Sequence, residues 1–447
     1  MAVWIRGGRT FAGDPPRSVA GDLWVGDDGL LGAPPAELPA GTEVLDAGGC
    51  LVLPGLVIAH HHLYSALARG MPAPAAPPRS FVEILEKVWW RLDRALDREL
   101  VELSGRVGAL EALSCGVTGI VDHHASPSFV DGSLDALAAG IEAAGARAVL
   151  CYEATNRHGH EAFVAGLAES ERFARLHARP TAGASAGRAP ARFAAMVGGH
   201  APFTLDDAEL AALAAAGRTH GVAVHLHVAE AAHDQKDAEA RGARNVTERL
   251  RRAGVLEGRA VLAHGVHLGP QEVSALAALG VWVTHQPRSN MNNRVGYIAA
   301  TDAYGARLAL GTDGINGDLW DEAHAAFFRL REARDAGAER VWSWLAGSWR
   351  LASEAFGLEP ARGFGTLAHG APGDVVVLDY DGATEVHAGN LPWHLAFGLS
   401  ARHVRDVVAC GRVAVRERRP VGHDVAALRR EGAEGARRLW SRMAALG

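Results

Sequence analysis

Leu53-Pro54-Gly55-Leu56-Val57-Ile58-Ala59-His60-His61-His62 is a brief apolar run that ends in three consecutive histidines. A run this short, rich in branched residues and bounded by turn signals, reads as a buried β-strand, here Val52 to Ile58. Alternate residues of a strand share a face, so His60 and His62 point the same way while His61 turns to the other side. In an α/β barrel the functional groups gather where strands end and the following loops begin, which makes this strand end a place to look for chemistry.

Working outward, the same pattern recurs. Between Leu51 and about Leu310, short apolar runs alternate with Ala-rich segments of 3.6-residue period, the signature of repeated β-α units. Eight strands are expected: Val52–Ile58, Gly119–Val121, Ala148–Tyr152, Ala194–Val197, Val222–His227, Ala260–Ala263, Val281–Thr284 and Leu308–Leu310. Helices are expected over Ser133–Ala144, Leu205–Thr219, Asp234–Ala253 and Asp318–Ala336, the first two entered through Asp131/Ser133 and Thr204 caps. Residues 3–53 instead carry short strands among Gly, Pro and Asp turns, and strand patterning returns in Asp374–Asp379 and Val404–Val415 before a last helix, Asp424–Leu446. The fold class is therefore α/β, a (β/α)8 TIM-like barrel over 54–362 with a small β-sandwich built from 1–53 and 363–422, and a C-terminal helix over 423–447. Two loops stand out, the proline-rich Met71–Ser80, placed where a lid would sit, and the low-complexity Ala178–Arg192.

Strand ends across the barrel are polar. Strand five ends in His225-Leu-His227-Val-Ala-Glu230, strand six in Ala263-His264-Gly-Val-His267, and strand eight in Gly311-Thr-Asp313-Gly314. A lone histidine on an apolar strand is usually a satisfied core residue, but agreement of position over five or six strand ends points to a site. His60, His62, His227 and Asp313 make an N/O donor set that suits one divalent ion, Zn2+ first, with Fe2+ or Mn2+ compatible. The only lysines, Lys87 and Lys236, fall in predicted helices, and strand four ends in Gly199-His200, so no lysine stands ready to bridge a metal pair. Glu153, ending strand three, is the one carboxylate that could alter that count, and no role is assigned from sequence to His61, His123, His124, His225, His267 or His285.

The totals exclude other classes. Of 447 residues, 48% are hydrophobic and 21% charged, and the net charge of -6 arises without long one-sign blocks, so neither nucleic acid nor anionic lipid is implied as a partner. No apolar run reaches the roughly 18 residues of a spanning helix, the start of the chain lacks signal-peptide order, and a cytoplasmic location is expected. Cys50, Cys115, Cys151 and Cys410 are scattered and read as packing rather than as disulfides.

The motifs Leu53-Pro-Gly-Leu-Val-x-x-His60-x-His62, His227-x-x-Glu230, Ala-His264 and Gly-Thr-Asp313 resemble the cytosine deaminase and chlorohydrolase branch of the amidohydrolase superfamily. Ser80–Leu96, Asp122-His-His-Ala-Ser-Pro127 and Cys151-Tyr-Glu153 are similar to SsnA-type aminohydrolases. The resemblance covers the whole chain. It implies that His60, His62, His227 and Asp313 bind the metal, that Glu230 and His264 are acid/base and orienting groups, and that His200 touches substrate. Ser289-Asn290-Met291 matches a motif after strand seven, where His285-Gln286-Pro287 departs from the usual His-Asn-Pro.

The implied reaction is hydrolytic deamination of an amino-substituted N-heterocycle such as a purine, pteridine or triazine. Asp313 takes a proton from water activated by the cation, Glu230 protonates a ring nitrogen, and ammonia leaves. Chloride release or opening of a cyclic amide would use the same parts, and a metal-binding scaffold without turnover is the reading of another class. Trp89 and Trp90 could stack on a flat substrate, and Arg91 and Asn156 could meet its polar edge. Barrel enzymes of this branch are often homo-oligomers, which is the expected assembly.

Overall fold

The structure is a computed structural model and describes residues 1–179, 191–298 and 301–446. Most of the expected Ala178–Arg192 loop lies outside the described residues. Eight parallel strands form the barrel: β1 (Leu56–His61), β2 (Val117–His124), β3 (Arg147–Ala154), β4 (Val197–Gly199), β5 (Val224–Val228), β6 (Ala260–His264), β7 (Trp282–His285) and β8 (Leu308–Leu310). A short strand, Phe193–Ala195, also pairs with β3 just ahead of β4. The ring closes where Thr312 and Asp313 both donate their backbone N–H to the carbonyl of His60, at 2.9 and 3.1 Å. Every barrel strand is buried along its length, which is why the strands read as apolar runs rather than as alternating patterns.

The expected strand Val52–Ile58 is two strands. Leu51–Pro54 pairs antiparallel with Val375–Leu378 and parallel with Arg9–Ala12, whereas β1 begins at Leu56 and pairs with β2. Gly55 is the joint between them: a Cβ there would run into the Thr118 side chain, so only glycine lets the chain pass from one sheet to the other. The terminal segments thus interleave in a seven-stranded sheet, which faces a four-stranded sheet from the first 46 residues. Val3, Ile5, Val25, Val52, Val375 and Val408 share the apolar layer between the two sheets.

Other expectations shift for local reasons. The helix expected over Asp234–Ala253 is interrupted, His233–Ala240 and Val246–Arg252, because Gly242 takes φ +77° and Asn245 caps a new start by accepting from Glu248 N at 2.8 Å. The helix Asp207–His220 is capped by Asp206 in a reciprocal box with Glu209, not by Thr204, whose hydroxyl bonds His200 Nδ1. Ser133–Ala144 starts at Gly132 with no side-chain cap of its own. The carboxylate of Glu169 from the neighbouring helix accepts from Gly132 N and Leu134 N instead. The C-terminal helix Val425–Ala445 lies on the barrel, where Trp440 donates to Leu67 O at 3.0 Å and Arg91 to Met443 O at 2.8 Å. No described helix is long and apolar enough to cross a membrane.

Candidate active site

The C-terminal ends of β1, β5 and β8 bring His60, His62, His227 and Asp313 together, with one ligand atom of each within 4.8 Å of the others. All four are buried. Each imidazole is fixed from behind. His62 Nδ1 donates to His123 O at 2.6 Å, His227 Nδ1 donates to His200 O at 2.8 Å, and His60 Nδ1 meets His225 Nε2 at 3.0 Å. The anchored Nδ1 atoms turn all three Nε2 atoms inward: His62 Nε2 lies 3.1 Å from His227 Nε2 and 2.9 Å from Asp313 Oδ1, and His60 Nε2 lies 3.5 Å from that oxygen with no aligned hydrogen bond. Imidazole nitrogens gathered this closely around a carboxylate, each anchored through its other nitrogen, are the donors a divalent cation takes, so the set fits one.

Beside this cluster stand Glu230 and His264. Glu230 Oε2 lies 3.4 Å from His264 Nε2, and Asn293 Nδ2 donates to Glu230 Oε1 at 3.0 Å. Burial raises the Glu230 carboxyl above its ordinary range, although His264 and Asn293 oppose it. Glu230 is no helix cap, since the following helix starts three residues later, at His233. Burial would also raise Asp313, but the His60 and His62 imidazoles beside it hold it well below the usual carboxylate range, and Ser289 Oγ donates to its second oxygen. His264 and Asp313 both adopt left-handed backbone, φ +78° and +50°, a conformation unusual for non-glycine residues and concentrated at functional sites.

The cluster opens into a cavity of about 610 Å3 that continues to solvent. His62, His227, Asp313, Glu230, His200 and Trp89 line it, and so do Tyr64, Phe81, Trp90, Phe203 and Arg157. Trp89 lies against Gly314, where a Cβ would come within 2.5 Å of the indole, so the glycine after Asp313 admits an aromatic wall. His200 Nε2 faces Glu153 Oε1 at 3.6 Å.

Several residues left open by sequence have other partners. His61 meets Thr312 Oγ1 at 2.8 Å, His124 meets Ser126 Oγ at 2.9 Å, and His267 meets Val295 O at 2.8 Å. His225 stands behind His60, and His123 lies 3.3 Å from Glu153. His285 is buried between Tyr297 and Trp344. Arg91 and Asn156 do not line the cavity: Arg91 ties down the C-terminal helix and Asn156 donates to Glu209 Oε2 at 2.7 Å. The arginine that does line it is Arg157, one residue further on, which pairs with Asp93 and lies 5.1 Å over the Trp90 ring. Position just beyond a strand end was its only sequence signal, and Asn156 shared it.

Fold and site together define a barrel hydrolase with a cation centre at the C-terminal strand ends. A model of the amidohydrolase family matches residues 51–414, and the chain belongs to that family. It is 32% identical over 421 residues to the 5-methylthioadenosine/S-adenosylhomocysteine deaminase of Natronomonas pharaonis, covering 91% of each chain. Over 406 residues it is 30% identical to the 8-oxoguanine deaminase of Pseudomonas aeruginosa, covering 85% of this chain and 86% of that one. Among solved structures, an adenosine deaminase from Xanthomonas campestris with bound zinc superposes with a TM-score of 0.81 at 22% identity, covering 98% of both chains.

Proposed function

We propose that this chain is a metal-dependent hydrolytic deaminase that removes ammonia from an amino-substituted N-heterocycle. The observation that carries the reading is the placement of Glu230, 3.4 Å from His264 and in one cavity with the His60, His62, His227 and Asp313 donor set. The deaminase relatives support the same class of reaction.

In this reading His60, His62, His227 and Asp313 hold the ion, with zinc favoured by the N/O donors and by the zinc-bound neighbour. The ion supplies Lewis acidity that makes water a competent nucleophile near neutral pH. Asp313, charged in this setting and fixed by Ser289, accepts the water's proton at Oδ1 and returns it to the amino group as the C–N bond breaks and ammonia leaves. Glu230, its carboxyl raised by burial and steadied by Asn293, gives a proton to the ring nitrogen beside the carbon under attack. His264, whose Nδ1 is tied to Asn290 Oδ1 at 2.9 Å, keeps Nε2 aimed into the site to orient the attacking oxygen. His200 and Trp89 contact the heterocycle, Trp89 through its face.

The division into a barrel over 54–362, sandwich segments 1–53 and 363–422 and a C-terminal helix 423–447 belongs to the same proposal, as does a cytoplasmic homo-oligomer. Exposed Phe328, Trp393 and Phe397, with Trp393 stacked on Phe397 and Phe328 edge-on to it, suit a subunit contact.

The test is an ammonia-release assay on metal-loaded protein over aminopurines, aminopteridines, aminotriazines and methylthioadenosine. Turnover that falls by about 10²–10⁴-fold in Glu230→Gln is the expected result. Ring opening or chloride release without ammonia would refute deamination, and absence of any turnover would favour a metal-binding scaffold.

A further inference from the structure

A second carboxylate that the reaction above does not use, Glu153, has an oxygen within 4.8 Å of a ring nitrogen of each of His62, His123 and His227. Glu153 ends β3, is 3% exposed and lines the cavity. Two imidazoles approach its carboxylate. His123 Nδ1 comes within 3.3 Å and His200 Nε2 within 3.6 Å, yet the His123 nitrogen is itself without an aligned hydrogen bond. A buried carboxylate has room for about four donors, and leaving that capacity unmet is costly.

Beside it stands Arg157, whose side chain is 7% exposed. One of its nitrogens pairs with Asp93, while the buried Nε and Nη1 have no hydrogen-bond partner among the described residues. This wall therefore offers a strong acceptor next to an underused donor. Its charge also discriminates. Arg157 is paired with Asp93, so this wall presents no unpaired guanidinium to a phosphate or carboxylate, whereas a neutral edge carrying both a donor and an acceptor matches it. Trp90 and Phe203, which also line the cavity, leave a flat ring as the shape that reaches this wall.

Resting on the deaminase reading, we infer that Glu153 is a specificity-determining substrate contact. It accepts a hydrogen bond from a ring N–H on the edge away from the departing amine, with Arg157 donating to the adjacent carbonyl. The substrate class is an aminoheterocycle bearing a lactam, an N–H next to a C=O, rather than a nucleoside whose sugar would have to fill this wall. A site built to hydrogen-bond a donor rejects analogues lacking it far more strongly than an apolar pocket rejects a missing methylene.

The experiment compares oxo-substituted aminopurines and aminopterins with the same rings N-methylated at the lactam nitrogen, and with methylthioadenosine. Wild type, Glu153→Gln and Glu153→Ala are each assayed for turnover, for metal content, and for calorimetric binding of the deaminated lactam products. Wild type should favour the lactam over its N-methylated partner by about 10²-fold or more in kcat/KM. Both variants should lose most of that preference, with weaker product binding and metal content per chain unchanged. Loss of metal in the variants would make Glu153 a ligand and overturn the inference, as would equal turnover of lactam and N-methyl rings or preference for methylthioadenosine. If nothing on the panel is deaminated, the functional reading fails separately, and the binding arm still decides: lactam affinity that depends on Glu153 supports the contact, and its absence refutes it.

Discussion

Asn290 Oδ1 accepts from His264 Nδ1 at 2.9 Å, which fixes the tautomer of the imidazole that faces Glu230. Asn290 comes from the short helix after β7 and His264 from the end of β6, so the bond couples adjacent barrel loops. Asn290→Ala frees the ring to rotate or change tautomer, and kcat should fall about 10–100-fold with little change in KM or metal content. Asn290→Asp, which keeps an acceptor, should retain more activity. Steady-state kinetics beside metal analysis check this.

Ser289, the neighbouring residue, donates to Asp313 Oδ2. Ser289→Ala should keep one metal per chain at saturation but weaken its affinity about 10–100-fold, measured by competition with a chromogenic chelator. Asp313→Ala should retain no metal after gel filtration. Chelation of the wild type should abolish activity, and added zinc should restore it.

Arg249 is the most heavily used buried cation among the described residues. Its Nε contacts Asp207 at 2.7 Å, Nη1 contacts Asp237 at 2.7 Å and Pro202 O at 2.8 Å, and Nη2 donates to Leu205 O at 2.7 Å. These bonds pin the loop that follows His200. Arg249→Met leaves the buried carbonyls of Pro202 and Leu205 without their donor while Asp237 keeps Arg241, and should cost about 1–3 kcal/mol of stability. Denaturant titration reads that loss, and weakened substrate binding through a displaced His200 should accompany it.

Asp234 supplies a pH signature. Burial pushes its carboxyl up to about 7 despite donors from Ala229 N and Phe203 N. Its unfolded value is about 3.9. Between those two values the folded chain holds the extra proton, so stability falls as pH rises from about 4 to about 7 and levels off beyond. The full effect of such a shift is about 4 kcal/mol. Asp234→Asn keeps an acceptor and should abolish this slope, so melting temperatures of the metal-free variant and wild type should diverge from pH 4 to pH 7 in favour of the variant. Parallel profiles would contradict it.

Much of the architecture was legible locally. Leu308–Leu310 and Ser133–Ala144 fall where their patterns place them, because burial and helical period are written in adjacent residues. The polar strand ends disclosed the convergence of His60, His62, His227 and Asp313, since a barrel turns every strand's C-terminal end to one face. What the pattern of Val52–Ile58 could not reveal was its change of partner at Pro54-Gly55, because both halves are equally apolar and only the neighbouring sheets distinguish them.

The sequence by itself determined the barrel and which strand-end side chains gather at its mouth, because each depends on residue type at a strand end and on the two-residue alternation of a strand. Tertiary structure alone decided which side chains face one another across the mouth. That Asn290 holds His264, that Ser289 holds Asp313, and that Arg157 rather than Asn156 or Arg91 lines the cavity depends on loops and helices outside the strands. Such loops follow no fixed period, so a shift of a single residue redirects a side chain from solvent into the site.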